Sequence, residues 1–69
     1  MENFGNKLKS LRIEKNMTCA AVAFAVGLTK NAITNYESGI REPSLATLKR
    51  LCDLFDVSAD YLIGRVDFY

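Results

Sequence analysis

Apolar side chains recur along the chain at helical spacing. Phe4, Leu8 and Leu11 fall at i, i+4 and i+7, with Lys7, Lys9 and Arg12 between them, so a first helix has one apolar face. Asn16 is expected to end it, because Asn follows Gly in tolerating the left-handed backbone of a helix C-terminus. Thr18 is placed to cap a second apolar segment, Cys19 to Val26, by accepting from a free amide of the first turn. Gly27 breaks that segment. Thr29 caps a third, from Lys30 to about Ser38, and Gly39 ends it. The stretch Gly39-Ile-Arg-Glu-Pro-Ser44 has strong turn chemistry. Ser44 caps a fourth helix, expected to carry Leu45, Leu48, Cys52 and Phe55 on one packed face. Ser58 caps a short fifth helix through Leu62, with Asp60 well placed in the field of its N-terminus. Gly64 stops it. Arg65-Val-Asp-Phe-Tyr69 alternates over its first positions, the pattern of a short strand. Five helices with short connections predict an all-α domain over residues 1–64, followed by a tail, 65–69.

The spacing between Cys19 and Glu37 carries the most information. Two short helices are separated by a few residues around a Gly, with apolar positions at Val22, Val26, Leu28, Ile33 and Tyr36. A helix-turn-helix needs these features for physical reasons. Its helices cross steeply, so the crossing point must be small, and Ala23 supplies that. Its turn needs a positive φ, which Gly27 adopts without steric cost. Lys30, Asn31, Thr34 and Asn35 then share one polar side of the second helix. They are rich in donors and suited to base edges.

Charge sharpens this picture. The whole chain of 69 residues carries a formal charge of +1. Residues 1–50 hold eight Lys and Arg against four Glu, a balance of +4, whereas residues 51–69 hold one Arg against four Asp, a balance of −3. Such asymmetry between halves hints at a nucleic-acid surface. Other classes are disfavoured. There is no His, hence no common general base, and Cys19 and Cys52 alone cannot close a zinc site. Neither a cofactor, a metal nor an enzymatic activity is expected. Two cysteines suit reduced thiols and a cytoplasmic protein better than a disulfide-bonded secreted one. No apolar signal core opens the chain, and the longest apolar run, Cys19 to Leu28, is ten residues, where a span needs about 20. No membrane association is expected.

The run Thr18-Cys-Ala-Ala-Val-Ala-Phe-Ala-Val-Gly-Leu-Thr-Lys-Asn-Ala-Ile-Thr-Asn-Tyr-Glu-Ser-Gly39 resembles the helix-turn-helix of the Xre family, the Cro and phage-repressor type. The flanks agree: Leu8-Lys-Ser-Leu-Arg12 resembles that family's first helix, Arg41-Glu-Pro-Ser-Leu45 its loop into helix four, and Val57-Ser-Ala-Asp-Tyr-Leu-Ile-Gly64 its fifth helix. The resemblance covers about residues 4–64. It implies a five-helix domain that docks helix three in the major groove of double-stranded DNA, usually as a homodimer. On the matching positions it implies base contacts from Lys30, Asn31, Thr34 and Asn35. It implies backbone contacts from Thr18, Cys19, Ser38, Arg41 and the amides opening helix four, and a structural ion pair between Arg12 and Glu37. Two departures stand out. Cys19 occupies a place where the family commonly carries Gln, and Cys is a weak donor. Ala20, Ala21, Phe24 and Ala25 occupy places the family often fills with charge.

These readings lead to a sequence-specific transcriptional regulator, a repressor by preference, binding a near-palindromic operator. Helix five and the tail, through Tyr61, Val66, Phe68 and Tyr69, are the expected dimer surface. Phe24 either folds back over helix one or the tail, or marks a second protein surface. That second option supports a rival reading: an interaction module on the same fold, an antitoxin or adaptor, using the apolar second helix and the C-terminal surface. Cys19 is a half-buried filler, a weak phosphate contact or an oxidisable thiol; Cys52 belongs to the core. No appended sensing domain is expected, so control would come from concentration, a protein partner or oxidation.

Overall fold

The computed structural model describes Met1 and residues 3–69; Glu2, counted in the charge balance, lies outside them. Five helices follow one another: α1 (Phe4–Glu14), α2 (Cys19–Val26), α3 (Lys30–Ser38), α4 (Leu45–Phe55) and α5 (Ala59–Leu62).

Local chemistry sets nearly every helix boundary. The side chains of Thr18, Thr29, Ser44 and Ser58 accept from the amides of Ala21, Ala32, Thr47 and Tyr61, at 3.0, 3.3, 3.2 and 3.0 Å. Each satisfies a donor that the first turn leaves free. Gly27 and Gly39 close α2 and α3 in the left-handed region, at φ 73° and 83°. Asn16 takes the same conformation after α1, at φ 55°. Asp56 does so after α4, also at φ 55°, a conformation that Asn and Asp tolerate better than other non-glycine residues.

One core joins the helices. Phe4, Leu8 and Leu11 of α1 pack with Val22, Ala23 and Val26 of α2, Ile33 and Tyr36 of α3, Leu48, Leu51 and Phe55 of α4, and Leu62 of α5. Cys52 lies within it, and burial pushes its thiol pKa up, with Asp53 adding to the effect. Phe4 meets Tyr36 edge to face, with ring centroids 6.3 Å apart.

Two sequence expectations need correction, and one open alternative closes. Leu45 is not on the packed face of α4; it is 84% exposed, and Thr47 and Leu51 join Leu48, Cys52 and Phe55 instead. Its angular position suits the stripe, but it opens the helix, where no neighbouring element covers it. The tail is not a strand: it bends at Arg65 and Asp67, and no strand occurs among the described residues to pair with it. Phe24 does not fold back over anything; it is 90% exposed, because Val22, Ala23 and Val26 hold the inward face of α2.

Candidate nucleic-acid interface

The helix-turn-helix is built by α2, the turn at Gly27 and α3. Val22 and Ile33 are wholly buried where the helices meet, and Ala23 is nearly so. The amide of Leu28 donates to the carbonyl of Ala23 at 2.8 Å, folding the turn against α2. A guanidinium nitrogen of Arg50 in α4 lies 3.4 Å from the carbonyl of Val26. It satisfies a C-terminal acceptor of α2 and complements the negative end of that helix. Sequence reading counted Arg50 only as a charge.

The polar face of α3 is outward. Lys30, Asn31 and Thr34 are exposed and Asn35 is half-buried. Thr34 Oγ1 donates to the carbonyl of Lys30 at 3.1 Å, so its hydroxyl faces out as an acceptor. The carbonyl of Asn35 receives the amides of Ile40 and Arg41, at 3.0 and 3.3 Å, and the hydroxyl of Ser38 at 3.2 Å. This one carbonyl ties the loop after α3 to the last turn of the helix. It also commits the Ser38 proton to α3's own backbone. Arg41 is exposed, with its guanidinium carbon 5.9 Å from the Tyr36 ring centroid, a distance that permits a cation–π contact.

At the other end, exposed Thr18 caps α2 with its oxygen lone pair and leaves its hydroxyl proton available. Cys19 points elsewhere. Its Sγ lies 3.8 Å from Glu37 Oε2, half-buried beside the ion pair. Glu37 is held by Arg12, with Nε 2.6 Å from Oε2 and Nη2 3.1 Å from Oε1. Arg12 Nη1 donates to the carbonyl of Met17 at 3.0 Å. The bond to Glu37 raises the Arg12 pKa above its ordinary value. The carboxylate is therefore neutralised inside the fold rather than presented beside α3.

Gly5 carries a role that periodicity does not reveal. A Cβ there would sit 2.5 Å from the carbonyl oxygen of Glu37 and 2.7 Å from that of Tyr36. The start of α1 therefore lies against the end of α3 at a distance that only glycine permits. A Gly one residue into a strongly periodic helix was the available signal.

Of the expected site residues, Lys30, Asn31, Thr34 and Asn35 share the outward face of α3, and Arg12 and Glu37 meet beneath it. Tyr61, Val66, Phe68 and Tyr69 lie in α5 and the tail. There, Tyr61 and Tyr69 pack on each other with ring centroids 4.8 Å apart. Among the described residues no group of His, Cys, Asp and Glu could hold a metal ion. None of the described helices is long and apolar enough to cross a membrane.

Residues 8–62 match the helix-turn-helix family. The chain is 43% identical over 60 residues to the HTH-type transcriptional regulator AnsR of Bacillus subtilis, covering 87% of this chain and 52% of that protein. The chain spans about half the length of the curated relatives it matches. Its fold superposes on the P22 c2 repressor, solved in complex with a synthetic operator, with a TM-score of 0.89 and 26% identity over 96% of this chain and 100% of that one. It also superposes on the restriction-modification controller protein C.AhdI of Aeromonas hydrophila, with a TM-score of 0.80 and 30% identity over 87% and 91% of the two chains. With the crossing of α2 and α3, the left-handed turn at Gly27 and the braced polar face of α3 in place, the chain belongs to the helix-turn-helix family, of the Xre type.

Proposed function

We propose that this chain is a sequence-specific DNA-binding transcriptional regulator, acting as a repressor and binding a near-palindromic operator as a homodimer. The observation that carries this reading is the outward face of α3. Lys30, Asn31 and Thr34 are exposed there, on a helix whose own acid, Glu37, is neutralised from behind by Arg12. Lys30 is the one charged residue between Asn16 and Glu37. The repressor neighbour solved on operator DNA and the relative named as a transcriptional regulator support the same role.

In this reading α3 enters the major groove with its N-terminal end towards the bases. Lys30 addresses guanine acceptors, Asn31 and Asn35 address adenine, and Thr34 offers an acceptor. Thr18 and Arg41 hold phosphates, together with the amides opening α4. Ser38 contributes its oxygen rather than its proton. Cys19 contributes least to the backbone contact, since its thiol faces Glu37. Two α3 helices about 34 Å apart would read successive half-sites. Binding is reversible, involves no bond chemistry or cofactor, and weakens steeply with salt through counterion release. The setting is the cytoplasm.

The test is selection of bound duplexes from a random pool at physiological salt. A motif of two inverted half-sites one helical turn apart is expected, and recovery of no motif would overturn the reading. A chain with Lys30→Ala and Asn31→Ala together should lose that selectivity.

The rival reading, a protein-interaction module, is favoured by one observation: Ala20, Ala21, Phe24 and Ala25 form an exposed uncharged face on α2. Loss of duplex retention in the Lys30→Ala, Asn31→Ala chain, with binding to a protein partner intact, would separate the two activities.

A further inference from the structure

Residues 65–69 are held at both ends. The amides of Gly64 and Arg65 donate to the carbonyls of Tyr61 and Asp60, at 3.2 and 2.8 Å. At the far end, the Tyr69 carbonyl accepts from the Ser58 amide at 2.8 Å. The Tyr69 hydroxyl donates to the Glu14 carboxylate, 3.1 Å from Oε2. The Tyr69 ring stands edge-on to Tyr61, whose own ring lies 5.4 Å from Lys7 Nζ. Tyr61 and Tyr69 are thus held against α1, between Lys7 and Glu14, although Tyr69 remains 55% exposed. The run between the two anchors is turned outward. Arg65 and Asp67 are exposed, Phe68 is 72% exposed and Val66 is half-buried. Among the described residues, the amides of Val66, Asp67 and Phe68 donate to no backbone carbonyl, and Arg65 and Asp67 form no salt bridge.

We infer that this run docks on the same run of a second copy across a two-fold axis at Val66; the inference rests on the homodimer proposed above and specifies its contact. The tail is self-complementary in charge about Val66. Antiparallel runs related by that axis set Arg65 of one copy opposite the partner's Asp67, and symmetry repeats the pair. An axis one residue earlier opposes Arg65 to itself, and one residue later opposes Asp67 to itself. Charge therefore selects the register. This matters because the C-terminal half is acidic, and an isologous contact there places like charges together unless they are cross-paired. The bends at Arg65 and Asp67 rule out a continuous β-ladder, so the contact is made by side chains. Exposed ion pairs contribute little affinity on their own; they fix the register, while Phe68 and Val66 supply apolar area. Anchoring at both ends lowers the ordering cost of binding.

Sedimentation equilibrium of the whole chain tests this. Arg65→Glu and Asp67→Arg should each raise the dimer dissociation constant about tenfold, since two symmetric attractions become repulsions. The two substitutions together should restore it, and Phe68→Ser should weaken the dimer as well. Circular dichroism melts should show all four variants folded like the parent, since these side chains are exposed or make no core contact. Single variants that dimerise like the parent would overturn the inference and leave a dimer made by another face. A double variant no tighter than the singles would also overturn it. A parent chain that stays monomeric at every concentration would overturn both this contact and the homodimer.

Discussion

Arg12 and Glu37 form a two-pronged ion pair that ties the last turn of α1 to the last turn of α3, with Nε 2.6 Å from Oε2 and Nη2 3.1 Å from Oε1. The side chains retain only 15% and 10% of their exposure. A planar guanidinium matches a carboxylate in this way where an ammonium cannot. Neither charge stands unpaired beside the outward face of α3, and the pair fixes that helix from within the fold.

Removing one partner should therefore cost more than removing both. Glu37→Ala leaves a largely buried guanidinium unpaired and should destabilise the chain by about 3 kcal/mol. Adding Arg12→Met should recover part of that loss. Urea unfolding of the two single variants and the double variant measures the coupling.

Gly5→Ala should be among the most damaging single-methyl additions in the chain. Its Cβ meets two backbone carbonyls at 2.5 and 2.7 Å, and backbone cannot rotate away as a side-chain tip can. A loss of about 2–3 kcal/mol is expected. Helix propensity alone predicts the opposite sign, a gain of about 0.5–1 kcal/mol. The sign of the change in an unfolding titration thus decides between close approach and propensity.

Phe24→Ser should leave stability within about 0.5 kcal/mol of the parent, because the ring is 90% exposed. Affinity for a selected duplex should also be unchanged in a filter-binding or anisotropy titration. A marked loss of affinity would place the ring at the DNA surface and remove its availability to a protein partner.

Stability should fall as pH rises above about 9. The Cys52 thiol is pushed up from 9.0, first by burial and then by Asp53. The Tyr69 phenol is pushed up from 10.0, first by its hydrogen bond to Glu14. Both groups hold their protons more tightly when folded than when unfolded. Their contribution is complete below the unfolded values and is lost as pH rises through the folded ones. Cys52→Val should flatten the first part of the decline and Tyr69→Phe the second, measured as unfolding free energy against pH.

The helices and their boundaries were legible because each rests on local chemistry. Thr18, Thr29, Ser44 and Ser58 cap through amides three residues away, and Asn16, Gly27 and Gly39 take left-handed backbone within their own turns. The crossing of α2 on α3 was legible from Ala23 and Ile33 for a related reason: both partners lie within one short segment. The Arg12–Glu37 pair came from family resemblance, not from spacing. Leu45 and the strand pattern of the tail were misjudged, and one of the two alternatives for Phe24 fell, each because the environment depends on which distant element covers the residue. Periodicity assigns a side chain to a face but does not say whether a neighbour reaches that face.

Five helices, four of them opened by a capping Thr or Ser, an all-α domain and a polar face on α3 are thus written in the chain itself. The tertiary structure decided what long-range approach alone can decide. It set Gly5 against the end of α3, Arg50 on the carbonyl of Val26, and Cys19 turned towards Glu37. It also anchored Tyr69 on Glu14 and Ser58, while Phe68 beside it makes no such anchor. Capping and turn formation involve residues three or four apart and are written in short words of sequence. Contacts such as Tyr69 with Glu14 join residues 55 apart, and they exist only once the packed core has brought the helices that carry them together.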